Sequence, residues 1–214
     1  MVSSGIGGII DVETTGFGAD RHEILEFCML MFSFDWNTGR VIEVVDEYCG
    51  LREPSRPISP GACRVHGITN DLVRGKRLDH PRIAAMFERV ELLIAHNAAF
   101  DRSFVERLFP VVREKPWCCT MRGINWKGRG FRSRALQSLL GDHGIEVAGK
   151  HRAGEDARAV LALLSYSEDY LLELLASLRQ RPLRSESVEW RCGVREAAAT
   201  VDGKRRRRGS WWPF

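Results

Sequence analysis

Five polar residues in this 214-residue chain have types and spacings that suit phosphoryl chemistry. Asp11 and Glu13 lie two apart at the end of an apolar run, so on a strand their side chains share one face and converge at its end. Two carboxylates that close repel unless a cation lies between them. Asp101 opens the helical stretch after Ala95-His96-Asn97, and His151 and Asp156 bracket the start of a later helix, five residues apart. Carboxylate oxygens are the ligands that Mg2+ and Mn2+ favour, in sites that keep positions open for water and substrate phosphate. Two such ions about 3.5–4 Å apart clamp the attacking and leaving oxygens of an in-line phosphoryl displacement. A neighbouring His that takes a proton from the attacking water contributes roughly 10²–10⁴ in rate. Taken singly, each residue has a plainer reading, since an Asp at a helix start is ordinarily a cap and a lone His a satisfied core or surface group.

The elements that must position these residues alternate in kind. Ile6 to Glu13 is a short apolar run opening onto Thr-Thr-Gly, which predicts a buried strand and a turn. Residues 23–35 and 40–51 are rich in apolar and β-branched residues around the turn signal Asn37-Thr38-Gly39, and predict an antiparallel hairpin beside that strand. Pro54, Pro57 and Pro60 enforce a loop. A helix is expected between His80 and Val90, a strand at Leu92–Ala95, a helix at Ala98–Leu108, a short strand at Trp117–Met121 and a helix at Ser133–Leu140. One long helix is expected from about Ala153, with a single stripe through Ala157, Val160, Leu161, Leu164, Leu171, Leu175 and Leu178. Three strands followed by alternating helices and strands argue an α/β fold, a mixed sheet with helices on both faces.

The composition is that of a globular protein: 44% hydrophobic, 28% charged, net charge +4. No apolar run reaches the length of a membrane span, and the N-terminus lacks the basic region of a signal peptide. The expected location is therefore cytoplasmic, with no membrane association. The six cysteines show no CxxC pairing, so reduced thiols are expected and a zinc site has no spacing support. Charge is unevenly distributed. Residues 1–176 hold 22 basic and 24 acidic residues, and residues 177–214 hold 10 and 4. A domain of residues 1–178 and a basic tail of 179–214 are expected, the tail carrying the Lys204–Arg208 run and Trp211-Trp212. Such a tail either clamps nucleic acid through salt-dependent attraction and stacking or is a disordered solubilising segment. The loop Lys127–Arg132, with Arg134, is either a backbone-phosphate contact or a solvated loop. Gly5-Ile-Gly-Gly8 precedes its strand, and so is not a dinucleotide-binding loop.

Order and wording of the motifs go further. Asp11-Val-Glu-Thr-Thr-Gly16 resembles the first motif of the DEDD exonucleases, His96-Asn-Ala-Ala-Phe-Asp101 the second, and His151-Arg-Ala-Gly-Glu-Asp156 the third, with His five residues before Asp. His66-Gly-Ile-Thr69 also matches a stretch common in that family. The resemblance is to the DEDDh 3′–5′ exonucleases, the group of the proofreading subunit of bacterial DNA polymerase III, and covers about residues 5–176. It implies a ribonuclease H-like fold, a five-stranded mixed sheet flanked by helices. It implies two divalent metal ions, Mg2+ or Mn2+: Asp11 bridging both, Glu13 and Asp156 completing the site of the ion that activates water, and Asp101 holding the second. His151 is the implied general base. Thr14, Thr15, Gly16 and Phe17 are implied to grip and wedge the 3′-terminal nucleotide, with His66, Asn97 and Phe100 lining the same pocket. The implied substrate is a nucleic acid with a free 3′ end, single-stranded DNA first and RNA as the alternative, in association with a polymerase or repair partner and as a monomer or homodimer. A non-catalytic nucleic-acid-binding module is disfavoured because all five metal-site residues are present. One departure is Gly154-Glu155, where the family has a small apolar pair. It adds a carboxylate beside Asp156 and weakens the first helical turn.

Overall fold

The computed structural model describes residues 4–146 and 151–180. The chain runs β1 (Ser4–Thr14), β2 (Ile24–Asp35), β3 (Val41–Leu51), α1 (Pro60–His66), α2 (Asn70–Val73), α3 (His80–Arg89), β4 (Leu92–Ala95), α4 (Ala98–Leu108), a 3-10 turn (Pro110–Glu114), β5 (Trp117–Cys119), α5 (Thr120–Gly123), α6 (Leu136–Asp142), α7 (Ala153–Tyr166) and α8 (Glu168–Gln180). The five strands form one mixed sheet in the order β3-β2-β1-β4-β5. β1–β2 and β2–β3 are antiparallel, while β1–β4 and β4–β5 are parallel. This is the ribonuclease H-like arrangement implied by the motifs.

Each sheet face buries its own core. Ile9, Cys28, Leu30 and Ile94 pack under α7 and α8 through Ala157, Val160, Leu163 and Leu171. On the other face Ile10, Val12, Phe27 and Leu93 pack against Ile83 and Phe87 of α3 and Phe104 and Val105 of α4. Alternate residues of β1 therefore serve opposite layers, as the period of a strand requires. At the tip of the β2–β3 hairpin Gly39 has φ +70°, and a Cβ there would lie 2.6 Å from the Glu168 carbonyl oxygen at the start of α8. Only glycine fits that turn against that helix.

Several expected boundaries move. β1 begins at Ser4, so Gly5, Gly7 and Gly8 lie inside the strand, where Trp36, Phe32 and Met29 occupy the space a side chain would need. β5 ends at Cys119, and Thr120–Gly123 turns helical. The single long helix is two helices, broken at Ser167, whose backbone is extended (φ −146°). An extended Ser followed by Glu168 and Asp169 is a helix-start signal, which the continuous apolar stripe masks. The expectation of reduced thiols is also corrected. Cys28 and Cys49 sit directly opposite each other on β2 and β3 and are joined as a disulfide, a pairing that their separation of 21 residues conceals. Cys118 and Cys119 are buried free thiols. Among the described residues no helix is long and apolar enough to cross a membrane. The Lys204–Arg208 run and Trp211-Trp212 lie outside the described residues.

Candidate active site

The site forms where β1 outruns its parallel neighbour. Pairing of β1 with β4 stops at Ile9 opposite Ile94, which leaves the Val12 N–H without a strand partner on that side. The Asp101 carboxylate accepts it at 3.2 Å. Asp101 thus reaches the end of β1 from α4, on one face of the sheet, while Asp11 and Glu13 point to the face covered by α7, which supplies Asp156. Glu13, His151 and Asp156 each bring a ligand atom within 4.8 Å of the others. Asp11 and Asp101 lie outside that trio and interact with its carboxylates through their charges, from both layers of the sheet.

Electrostatics register that crowding. Burial, then the charges of Asp101, Asp156 and Glu13, push Asp11 well above the usual carboxylate range. Glu13 is pushed to about 8 by burial and then by Asp156 and Glu26. Asp101, almost fully buried, also rises to about 8, chiefly through burial. Asp156 is raised by burial as well. Four carboxylates raised together are groups whose ionisation a nearby cation would favour, and their oxygens, with the neighbouring His151 ring nitrogen, could serve as ligands to a divalent ion.

The remaining expected residues gather at the same end. Thr14 is buried and donates its hydroxyl to the Gly16 carbonyl at 2.7 Å. Thr15 accepts from the Glu23 N–H at 3.0 Å, and its hydroxyl shares a hydrogen bond with His22 Nδ1. The His22 ring fills the space beside Gly16 that a Cβ would occupy. Phe17 is 90% exposed, an apolar ring edge-on to Phe100, the residue before Asp101, 6.4 Å between centroids. Asn97 begins α4 in the left-handed region (φ 69°), and its side chain makes no cap hydrogen bond. His66 is buried. Its Nδ1 accepts from the Ile68 N–H, so in the neutral ring that burial favours, Nε2 carries the proton, with the Thr14 backbone beside the ring. His151 is exposed, with φ 57°.

Three positioning contacts escaped the sequence. Glu26, opposite Glu13 on β2, is buried and binds Arg152 through both its oxygens while accepting the Ala153 N–H at 2.9 Å. It thereby pins the start of α7 to the sheet. A carboxylate inside the apolar run Ile24–Met31 was the available signal. Gln137 of α6 donates to Asp156 Oδ1 at 3.4 Å, and the His151 N–H donates to Oδ2 at 3.1 Å, so both oxygens of Asp156 are oriented. Gly154 is explained by packing: a Cβ there would lie 3.0 Å from Cys49 Sγ. Glu155 turns outward to Arg158.

Comparison with known proteins identifies the family and the fold. The model of the RNase_T family, described as exonuclease, matches residues 9–164. The chain belongs to this exonuclease family. It is 28% identical over 167 residues to the DNA polymerase III epsilon subunit of Treponema pallidum, covering 72% of this chain and 73% of that one. It is 29% identical over 157 residues to the PolC-type DNA polymerase III of Thermotoga petrophila, and spans only 11% of that relative's length. Exonuclease X, solved with 5′-overhanging duplex DNA, is 28% identical and superposes with a TM-score of 0.58 over 80% of this chain and 98% of that one. Escherichia coli exonuclease I, solved with a dT13 oligonucleotide, shares the fold at a TM-score of 0.64 and 21% identity, over 82% of this chain and 43% of that one.

Proposed function

We propose that residues 1–178 form a divalent-metal-dependent 3′–5′ exonuclease domain that hydrolyses single-stranded DNA from its 3′ end to nucleoside 5′-monophosphates. The observation that supports this best is the meeting of four mutually repelling carboxylates with an exposed imidazole at the end of β1. Asp11, Glu13 and Asp156 on one side and Asp11 and Asp101 on the other would hold two ions, Mg2+ or Mn2+. When bound, such ions polarise the scissile phosphate and acidify a bound water. His151 takes a proton from the attacking water, and its exposure lets it pass that proton to solvent. Gln137 and the His151 N–H hold Asp156 in one orientation, while the Val12 N–H does the same for Asp101. Phe17 and Phe100 offer apolar surfaces to the terminal base. The His66 ring and the Asn97 amide, which caps no helix N–H, would offer polar contacts to the terminal nucleotide. Relatives named as polymerase III chains favour DNA and a polymerase or repair partner.

The test follows the label. With a 5′-labelled oligomer the products should be a ladder shortening one nucleotide at a time, and with a 3′-terminal label the first product should be the labelled 5′-mononucleotide. DNA and RNA oligomers of one sequence, run in parallel, decide between the two sugars. Internal cuts on an oligomer whose 3′ end is blocked by phosphate would contradict the proposal.

A further inference from the structure

Beyond the metal carboxylates, one cavity has the chemistry of a second contact with the same substrate. It has a volume of about 850 Å3 and is lined by Arg122, Lys127, Arg132 and Arg134, with Phe131 and Glu173 among its other walls. From Thr120 to Gly141 the chain holds five basic residues and no acidic one. The rest of residues 1–176 holds 17 basic and 24 acidic residues, so this stretch reverses the sign of the domain. The four lining cations are exposed, and none has a carboxylate partner among the described residues. Elsewhere several arginines face carboxylates: Arg52 meets Glu23, Arg82 and Arg89 meet Asp46, Arg152 meets Glu26 and Arg158 meets Glu47. Within the stretch only Arg129 is paired, to Glu173, which also accepts the Asn125 N–H and so fixes the loop.

The loop is held in shape and tied to the reaction site. Trp126 is fully buried and donates to the Thr120 carbonyl at 2.7 Å, while Phe131 stacks on His143 at 4.7 Å between centroids. His96, the residue before Asn97, bridges Thr120 Oγ1 and the Arg134 carbonyl at 2.8 and 2.9 Å. Burial pushes His96 down to about 4, so near neutral pH the ring is uncharged. Its Nε2–H then faces the carbonyl, while Nδ1 accepts from the hydroxyl. Three residues past Arg134, Gln137 reaches Asp156. Three residues of chain span at most about 11 Å, so the Arg134 end of the cationic wall lies on the same side of the domain as Asp156, one side-chain length beyond that span.

We propose that this cavity, formed by Arg122, Lys127, Arg132 and Arg134, holds backbone phosphates of the nucleic-acid strand whose 3′ end lies among the metal carboxylates. This rests on the exonuclease reading above. Unpaired guanidinium and ammonium groups bind phosphates without regard to sequence and release counterions in doing so. Such a contact suits an enzyme that must hold each successive strand end.

The experiment measures binding apart from hydrolysis. Anisotropy of 5′-fluorescein-labelled dT12 in EDTA, across a salt series, gives Kd for the full chain, for Arg132→Ala/Arg134→Ala, for Arg122→Ala/Lys127→Ala, and for Arg40→Ala/Arg64→Ala, two exposed cations elsewhere. Thermal melts establish that each variant is folded. Each lost phosphate contact lowers the slope of log K against log salt by about 0.7 on a single strand. Each cavity pair should therefore lower it by about 1.4 and weaken binding about tenfold at 0.1 M salt, with the Arg40/Arg64 pair unchanged. Equal losses in all three pairs, or none in the cavity pairs, would overturn the proposal. A separate assay on the p-nitrophenyl ester of thymidine 5′-monophosphate tests the metal site with a single nucleotide. If wild type fails to cleave it while dT12 binding depends on the cavity, the exonuclease reading falls and the strand-binding cavity stands.

Discussion

Replacing Asp101 by Asn should stabilise the metal-free protein and weaken its response to metal. Asp101 is 2% exposed, and its carboxyl moves from 3.8 to about 8 on folding. A carboxyl whose folded pKa lies above its unfolded one binds more protons folded than unfolded between those values, so stability falls as pH rises through that window. At about 1.36 kcal/mol per pH unit the full rise bounds the effect at about 6 kcal/mol. Neighbouring carboxylates share the same repulsion, and effective dielectrics near such groups are about 20; about one third of the bound, ~2 kcal/mol, is the expected gain. Asn keeps an oxygen to accept the Val12 N–H, so the local fold has no reason to change. At about 2–4 °C per kcal/mol for a chain of this size, the variant in EDTA should melt about 4–8 °C above wild type at pH 8, with the gap shrinking toward pH 5. Addition of 1 mM Mn2+ should raise the Tm of the variant by clearly less than that of wild type, because the variant keeps the ion held by Asp11, Glu13 and Asp156 and loses the one that needs Asp101. A variant melting at or below wild type at pH 8, or gaining as much from Mn2+, would refute the claim that these carboxylates are crowded to hold cations.

Other expectations follow from the same contacts. His151→Gln should lower kcat by roughly 10²–10⁴ while leaving the Mn2+-induced rise in Tm in place, because the carboxylates remain; calorimetry beside steady-state assay separates the two. Glu26→Gln loses the charged hold on Arg152 but keeps an acceptor for the Ala153 N–H, so it should cost about 2 kcal/mol in urea unfolding, below the 3–5 of a fully buried pair because Arg152 is half exposed. The same change should lower kcat by about tenfold through looser placement of Asp156. Mn2+ affinity measured by calorimetry should tighten as pH rises from 6 to 8, since Glu13 and Asp101, both near 8, must lose protons to bind it; an affinity flat across that range would count against both as ligands.

Much of the fold was legible because its periodicities are strong. The hairpin of residues 24–51, β4 at Leu92–Ala95 and α4 at Ala98–Leu108 lie at or within a residue of the expected spans. The missed break at Ser167 shows the limit of a stripe, since α7 and α8 both feed one apolar layer and their residues keep in phase across an extended residue. For the site, Asp11 and Glu13 were readable from strand alternation, and the motifs supplied the rest. No spacing rule reveals that Asp101 comes from the opposite layer and is anchored by the Val12 N–H left free where β4 ends. Glu26, Gln137 and the Cys28–Cys49 pair depend on strand register and helix packing between distant segments, which a one-dimensional pattern does not encode. Gly154 looked like a weakness in a helix and is instead room for the sulfur of Cys49.

The central claim is that the carboxylate cluster at the end of β1 performs divalent-metal-dependent removal of 3′-terminal nucleotides. It is tested most directly by timed degradation of a 5′-labelled single-stranded DNA oligomer with wild type and Asp11→Ala, each in Mn2+ and in EDTA. A stepwise ladder from wild type in Mn2+, with the other three reactions slower by at least a thousandfold, is the predicted result. Degradation that persists in EDTA, or in Asp11→Ala at a rate near wild type, would contradict it.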